Sequence, residues 1–304
     1  MSTDRIALDA SISIPPREVT TTLTVRNVQT TLNYYRNPGD GSPPTPVYVG
    51  GNTVQNERPT IPVSVTIRDV TGSEKNFTLD THGFQFIKHE SAMKLFDSES
   101  EIKEGYYPEC VNLYKQITGA SRVLIFGHLV RRGPTHWHSL GNGNAANKGP
   151  LHRVHVDQSY AGAELILRKQ LLDEAESTLA RENRWQIVNL WRPVSTIFKD
   201  PLAVAAAASI SEDDLVEAKV LYTNQSPPWN RNETWAVQPG QGHSWFFKNE
   251  QKPDDVLLIK CFDSDEKVGV ARRAPHCAFR DPEREGHVWN DRESIEVRAL
   301  LFYN

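Results

Sequence analysis

Cysteine is scarce in this chain. Among 304 residues there are three, Cys110, Cys261 and Cys277. They lie far apart and form no CxxC pair, which excludes a disulfide framework and fits thiols kept reduced inside a cell. Long hydrophobic runs are also missing. The longest run of small apolar residues, PLAVAAAASI, covers ten residues, too few to span a bilayer. The first twenty residues, MSTDRIALDASISIPPREVT, contain no apolar core of a secretory signal, so none is expected. A basic surplus is lacking too: 34 Lys and Arg stand against 38 Asp and Glu, for a net charge of −4. A nucleic-acid partner would want a basic surplus or stripe, and no run of like charge forms a tail. Repeats and low-complexity tracts are absent. The expectation is a soluble, cytoplasmic protein with neither a membrane nor a nucleic acid as partner.

What is present is mostly strand-like. The length fits one large domain or two small ones. We read a single domain over 1–304, with residues 1–90 as a β-rich N-terminal decoration and 91–304 as a helix-flanked core. In the first part, TTLTVRNV, IPVSVTIRDV and NFTLDTHGFQFI read as β runs around a Gly/Pro loop at 37–52, and TGSEK is a plausible hairpin connection between the last two. EIKEGYYPECVNLYKQITG carries apolar residues at helical spacing, with Gly119 as C-cap. SRVLIFGHLVRRG reads as a buried strand, and AELILRKQLLDEAESTLARENR as one amphipathic, charge-laced helix. Strands then recur, separated by Asn, Pro, Gly and Asp: WQIVNLWRPV, LVEAKVLY, ETWAVQP, HSWFFKN, VLLIKCFDS and SIEVRALLFYN. The fold class is mainly β, a jelly-roll or barrel with flanking helices, its edges closed by double-sheet packing.

The chemistry gathers at GPLHRVHVDQSYAGAEL, residues 149–165. On a strand, residues i and i+2 share a face, so His155 and Asp157 project together. One imidazole and one carboxylate are two of the three ligands of a 2-His-1-carboxylate facial triad, which leaves positions open and suits non-heme Fe(II) and oxygen chemistry. His276, in RRAPHCAFRDP after a strong strand, is the best third ligand. Arg292 and Ser294 then form an Arg-x-Ser pair at the start of a strand, where a guanidinium fork and a hydroxyl can hold a carboxylate. Arg298 lies on the same face by parity. A 2-oxoglutarate-dependent oxygenase requires this order: metal ligands first, then a cation for the far carboxylate of the keto acid.

The segments HVDQSYAGAEL, WQIVNLWRPV, DPLAV, VLLIKCFDS, APHCAF and RESIEVRALLF resemble the fungal AsaB-type hydroxylase/desaturase family. That family is similar in turn to the gibberellin GA4 desaturase and the bacterial cephem 7α-methoxylase component. LDTHGFQFIKHES, YYPECVNLYKQITGASRVLIFGHLVRR and LNYYRNP extend the resemblance over roughly residue 30 to the end. It implies a double-stranded β-helix (cupin-like jelly-roll), with Fe(II), 2-oxoglutarate and O2 as cofactor and co-substrates. It also implies hydroxylation, desaturation or ring closure of a small molecule in fungal secondary metabolism, aziridine formation from amino acids among such reactions. By motif, His155, Asp157 and His276 carry over as metal ligands and Arg292 as co-substrate anchor. Where two arginines are spaced as Arg292 and Arg298 are, both touch the keto acid in some such enzymes, so their relative roles stay open.

Each remaining candidate has a plainer reading. His152 lies outside the face shared by His155 and Asp157. His136 and His138 in THWH lack a nearby carboxylate and read as surface residues, though the loop that follows could fold over the site. His243 is a fallback ligand or a strand-edge histidine, and His287 reads as loop-exposed. Arg192, beside Trp191, either pairs with a carboxylate in the core, since buried arginine is nearly always paired, or binds a substrate carboxylate. Leu300 and Phe302 share a face with Arg298 and are candidates to line the cavity, whereas Trp245, Phe246 and Phe247 read as core. Cys277 should point away from the metal as a buried hydrophobe. The charged helix near 162–184 reads as a solvated cover and could equally serve a homodimer contact. Two other functions compete: a cupin-like metallohydrolase or isomerase using Zn(II), and a non-catalytic small-molecule-binding paralogue. The first has no need of Arg292 and Ser294; the second predicts degraded ligands.

Overall fold

Residues 25–50, 53–55, 58–136 and 148–304 are described by the computed structural model. Strand-forming segments in this range pair as β1 (Val28–Tyr35), β2 (Val47–Gly50), β3 (Thr53–Gln55), β4 (Thr60–Asp69), β5 (Phe84–Lys88), β6 (Arg122–Arg131), β7 (His155–Val156) and β8 (Trp185–Pro193). The series continues with β9 (Leu202–Ala205), β10 (Leu215–Tyr222), β11 (Arg231–Val237), β12 (Trp245–Phe247), β13 (Asp255–Asp263), β14 (His276–Ala278) and β15 (Ser294–Phe302). They build two sheets. The larger has the order β1-β4-β12-β9-β14-β7-β11-β10-β2-β3, the smaller β5-β13-β8-β15-β6. Neighbours far apart in sequence, such as β7 beside β14 and β8 beside β15, are antiparallel. This is the double-sheet jelly-roll expected from the strand spacing.

The smaller sheet is covered on both faces, and the alternation of β15 records it. Leu300 and Phe302 pack between the sheets with Trp185, Ile187, Val156 and Cys277. Val297, Ala299 and Leu301 face the other way, with Val188 and Leu190, onto Tyr106, Leu113 and Tyr114. These last residues belong to a helical segment: a short α1 (Leu79–His82) lies upstream, and α2 (Glu99–Glu101) runs through a π-helical turn into α3 (Tyr107–Thr118). The Tyr114 hydroxyl lies 2.8 and 2.9 Å from the carbonyl oxygens of Val188 and Val297, tying α3 to the two central strands. Gly119 ends α3 at a φ of 73°, the left-handed conformation that favours glycine.

Two expectations are corrected. TGSEK does not close a hairpin. β4 already has β1 and β12 as neighbours, and the chain after it turns through α1, capped by the Thr78 side chain and ended by Gly83 at φ 81°. It then enters the other sheet as β5. The charged segment after residue 160 is two helices, α4 (Tyr160–Gln170) and α5 (Glu174–Glu182). Asp173 accepts a hydrogen bond from the Glu176 backbone and starts the second, a cap strong enough to break the run. The histidine at 138 and residues 139–147 of the Gly/Asn loop lie outside the described residues, as do Gly51 and Asn52.

α4 sits immediately after the metal-ligand candidates, and its start is tightly built. The Ser159 hydroxyl accepts the Gly162 N–H at 2.9 Å and donates to Glu233 at 2.6 Å. A Cβ on Gly162 would overlap the Glu233 backbone carbonyl of β11. Gly162→Ala should therefore destabilise the fold by about 1–3 kcal/mol through overpacking, read as a lower denaturant midpoint. An unchanged midpoint would mean that α4 can slide off β11 at little cost.

Candidate active site

The register of the larger sheet brings the site together. His155 in β7 pairs directly with His276 in β14, although 121 residues separate them. Their ring centroids are 4.5 Å apart. Asp157 follows on the same face, and one potential ligand atom from each of the three lies within 4.8 Å of the others.

Each imidazole is held from behind. Nδ1 of His155 donates to the Arg153 carbonyl at 2.9 Å, and Nδ1 of His276 to the Ala274 carbonyl at 3.1 Å. A carbonyl can only accept, so each Nδ1 carries a proton, and Nε2 is the ring nitrogen not engaged by the backbone. Burial, then the neighbouring His155, pushes the His276 pKa down to about 4, so this ring is neutral at physiological pH. His155 Nε2 lies 3.3 Å from Asp157 Oδ1. The other carboxylate oxygen, Oδ2, accepts from Asn189 Nδ2 at 2.8 Å and faces Arg298 Nη2 at 3.3 Å. Burial works to raise the Asp157 pKa, but Arg298 and then the two imidazoles outweigh it, and the carboxyl sits well below its ordinary range. One oxygen is thus fixed by the smaller sheet, and the other lies beside His155 Nε2. The donor set fits a divalent metal bound on one flank, the facial-triad pattern.

Asn189 was not singled out from the sequence. It is fully buried and stands across from Arg298 in the ladder of β8 and β15. The signal was partial: WQIVNLWRP carries an amide in mid-strand, and a buried amide must find a polar partner, but the pattern does not say which face is inward.

The arginines separate. Arg298 donates to Glu296 through Nε at 2.8 Å and Nη2 at 2.7 Å while also facing Asp157, so two carboxylates already occupy it. Arg292 is buried, donates through Nη1 to the Asp200 carbonyl at 2.8 Å and lies over the Trp191 ring at 5.5 Å. Its Nε is buried with no hydrogen-bond partner among the described residues. Burial, then Arg131, pulls its pKa down to about 9, the mark of a cation short of negative charge. Ser294 is buried at the start of the same strand, between Arg131 of β6 and Pro193 of β8.

Arg192 is not brought to the site. It stands on the opposite face of β8 from Asn189, where Nε donates to the Tyr106 hydroxyl at 2.7 Å. Nη1 serves the carbonyls of His89 and Pro253 at 2.8 and 2.7 Å. Strand alternation dictates this: 189 is inward, so 192 is outward. Leu300 and Phe302 do share the inward face, yet they sink into the core between the sheets, and the cavity in front of His155 is lined by Arg298 but by neither of them. His152 Nε2 lies 3.0 Å from Asp200, and His243 bridges Asp214 and Tyr34 at 3.0 and 2.9 Å, both away from the metal-ligand set. His136 and His287 are exposed, and Cys277 is buried in the core.

A family described as an oxidoreductase/YMDC permease-like domain matches residues 32–302. The chain is 37% identical over 295 residues to the hydroxylase/desaturase efuI of Hormonema carpetanum, covering 91% of this chain and 95% of that one. It is 35% identical over 277 residues to the alpha-ketoglutarate-dependent dioxygenase phiK of Fungal sp. (strain ATCC 74256), covering 91% and 96%. Among solved structures, the iron and alpha-ketoglutarate-dependent endoperoxidase NvfI superposes with a TM-score of 0.70 at 25% identity, over 92% of this chain and 99% of that one. With the triad assembled and matches spanning nearly the whole length, the chain belongs to the AsaB-type hydroxylase/desaturase family of Fe(II)/2-oxoglutarate-dependent oxygenases.

Proposed function

We propose that this protein is an Fe(II)- and 2-oxoglutarate-dependent oxygenase that oxidatively tailors a small molecule in fungal secondary metabolism, with His155, Asp157 and His276 as the metal ligands. One observation carries the reading: two imidazoles, each with Nδ1 committed to a backbone carbonyl, and the Asp157 carboxylate bring one potential ligand atom apiece within 4.8 Å of one another. When bound, Fe(II) with the keto acid and O2 supplies the oxidising power to remove hydrogen from an unactivated C–H bond. Hydroxylation, desaturation and ring closure all begin there, and the protein's share is orientation and exclusion of water.

In this reading Arg298 and Asn189 hold Asp157 ionised and aimed, and Glu296 fixes Arg298. Arg292 takes the distal carboxylate of 2-oxoglutarate, because its Nε is the buried donor still without a partner, and Ser294 adds a hydroxyl. A zinc hydrolase on the same ligands leaves this buried cation unexplained. The described chain works as one oxygenase domain, since strands from both ends of the sequence share the larger sheet. Among the described residues no helix is long and apolar enough to cross a membrane, and three free, buried cysteines suit a cytoplasmic setting.

The test is 2-oxoglutarate binding by the Mn(II)-loaded protein. A charge-assisted pair contributes about 1.5–3 kcal/mol, so Arg292→Met should weaken the keto acid by roughly 10- to 150-fold, with Arg292→Lys between. If Arg292→Met binds as the wild type does and Arg298→Met does not, the two arginines exchange roles.

A further inference from the structure

The cavity in front of His155 and Asp157 has a volume of about 350 Å³. Its charge is lopsided. Arg58, Arg131, Lys148, Arg153 and Arg298 line it, against the single carboxylate of Asp157, which Arg298 and Asn189 already engage. Arg298 is further neutralised by Glu296. Among the described residues, Arg131 and Lys148 therefore line the cavity with no carboxylate hydrogen-bonded to either, Asp157 and Glu296 acting on Arg131 only at longer range.

Two of them are placed to act together. Arg131 ends β6 across from Ser294 and donates one Nη1 hydrogen bond to the Gly149 carbonyl at 2.7 Å. That bond fixes the guanidinium beside the backbone that carries Lys148. Burial, then Arg131 and Arg298, lowers the Lys148 pKa, as expected of an ammonium crowded by like charge. Arg58 adds a second observation: it is 6% exposed, donates Nη2 to the Lys219 carbonyl at 2.7 Å, and keeps a buried Nε with no hydrogen-bond partner among the described residues. The same lining includes the aliphatic side chains Val47, Val49, Leu151 and Val220. A cleft that combines cations with aliphatic lining selects an amphipathic anion.

We propose that Arg131 and Lys148 bind a carboxylate of the organic substrate, so that the enzyme acts on a carboxylic acid with a short apolar body. This rests on the oxygenase reading above and names its substrate class. The co-substrate is also a carboxylate; with Arg292 assigned to it above, Arg131 and Lys148 remain for the second acid. The charge pair sets distance as well as affinity: Arg131 and Lys148 line the same cavity as His155 and Asp157, so a carboxylate held by the two cations fixes how far the rest of the molecule lies from the metal-ligand set.

The experiment is calorimetric titration of octanoate and of octanamide, its uncharged isostere, into the full chain loaded with Mn(II), with and without 2-oxoglutarate. The wild type should bind octanoate about tenfold tighter or more, the scale of one charge-assisted contact. Arg131→Met and Lys148→Met should each erase that preference, Arg131→Lys should restore part of it, and 2-oxoglutarate binding should stay within about twofold of the wild type. Should Arg131→Met fail to fold, Lys148→Met still decides. A wild type without preference for octanoate, or a preference that survives both changes, overturns the proposal. So does a loss of 2-oxoglutarate binding in Arg131→Met, which would assign the arginine to the co-substrate. A wild type unable to bind 2-oxoglutarate would instead overturn the oxygenase reading, and the titrations without keto acid would still judge this one.

Discussion

Replacing His276 with alanine should abolish succinate release from 2-oxoglutarate and, with it, the stabilisation conferred by metal. The imidazole is 3% exposed and neutral, with its Nδ1 proton spent on the Ala274 carbonyl, so Nε2 keeps a lone pair that can bind a cation. Removing it leaves His155 and Asp157 as a bidentate remnant, open on too many sides to retain Fe(II) against water. The activity loss should reach the detection limit. The metal effect gives an independent measure, since a ligand that binds only the folded state at 100 times its Kd adds about 2.7 kcal/mol. The wild type should show that rise with Mn(II), and His276→Ala should show none. A variant that keeps both its metal-dependent stabilisation and its succinate release would remove His276 from the site. His155→Ala should behave alike, because the two rings face one another in the same ladder position.

Arg192→Met should do the converse, costing stability and leaving the site intact. The guanidinium is 2% exposed and donates to a hydroxyl, two carbonyls and His89 Nδ1. Glu109 lies 3.6 Å from it, with its Oε1 buried and otherwise without a hydrogen bond. Methionine fills much of the volume but strands these acceptors and leaves the carboxylate uncompensated. Breaking a buried pair from one side costs about 3–5 kcal/mol. The expected result is a large fall in denaturant midpoint, with 2-oxoglutarate binding to the folded Mn(II) protein unchanged. A variant as stable as the wild type that fails to turn over substrate would return Arg192 to the role of a substrate ligand.

The contrast between these two residues shows where reading the sequence succeeds. His155 and Asp157 are two apart on a strand, and geometry at that range is set by the backbone alone. The same parity rule carries Leu300 and Phe302 to the inner face of β15 with Arg298. Parity does not say how deep a residue lies, and both sink into the core instead of lining the cavity. For Arg192 the rule was informative but needed a reference point. Once Asn189 is known to reach Asp157, residue 192 must face outward, and nothing in the one-dimensional pattern of WQIVNLWRPV marks which face is which. The hairpin expected at TGSEK failed for a related reason: local turn chemistry permits it, but the edge of β4 was already taken by β12, nearly 180 residues further on.

The sequence by itself determined the strand-rich class, the pairing of His155 with Asp157 on one face, the helix stop at Gly119 and the absence of any disulfide framework. Each depends on neighbours a few residues away, where backbone period and residue type suffice. Only the tertiary structure decided that His276 stands beside His155 and Asp157, that Asn189 and Arg298 engage that carboxylate, and that Arg292 rather than Arg298 keeps a buried donor without a partner among the described residues. Those facts depend on which strands lie side by side and on which buried charges have already found partners. They are properties of long-range packing and of electrostatic balance, which the order of residues constrains but does not display.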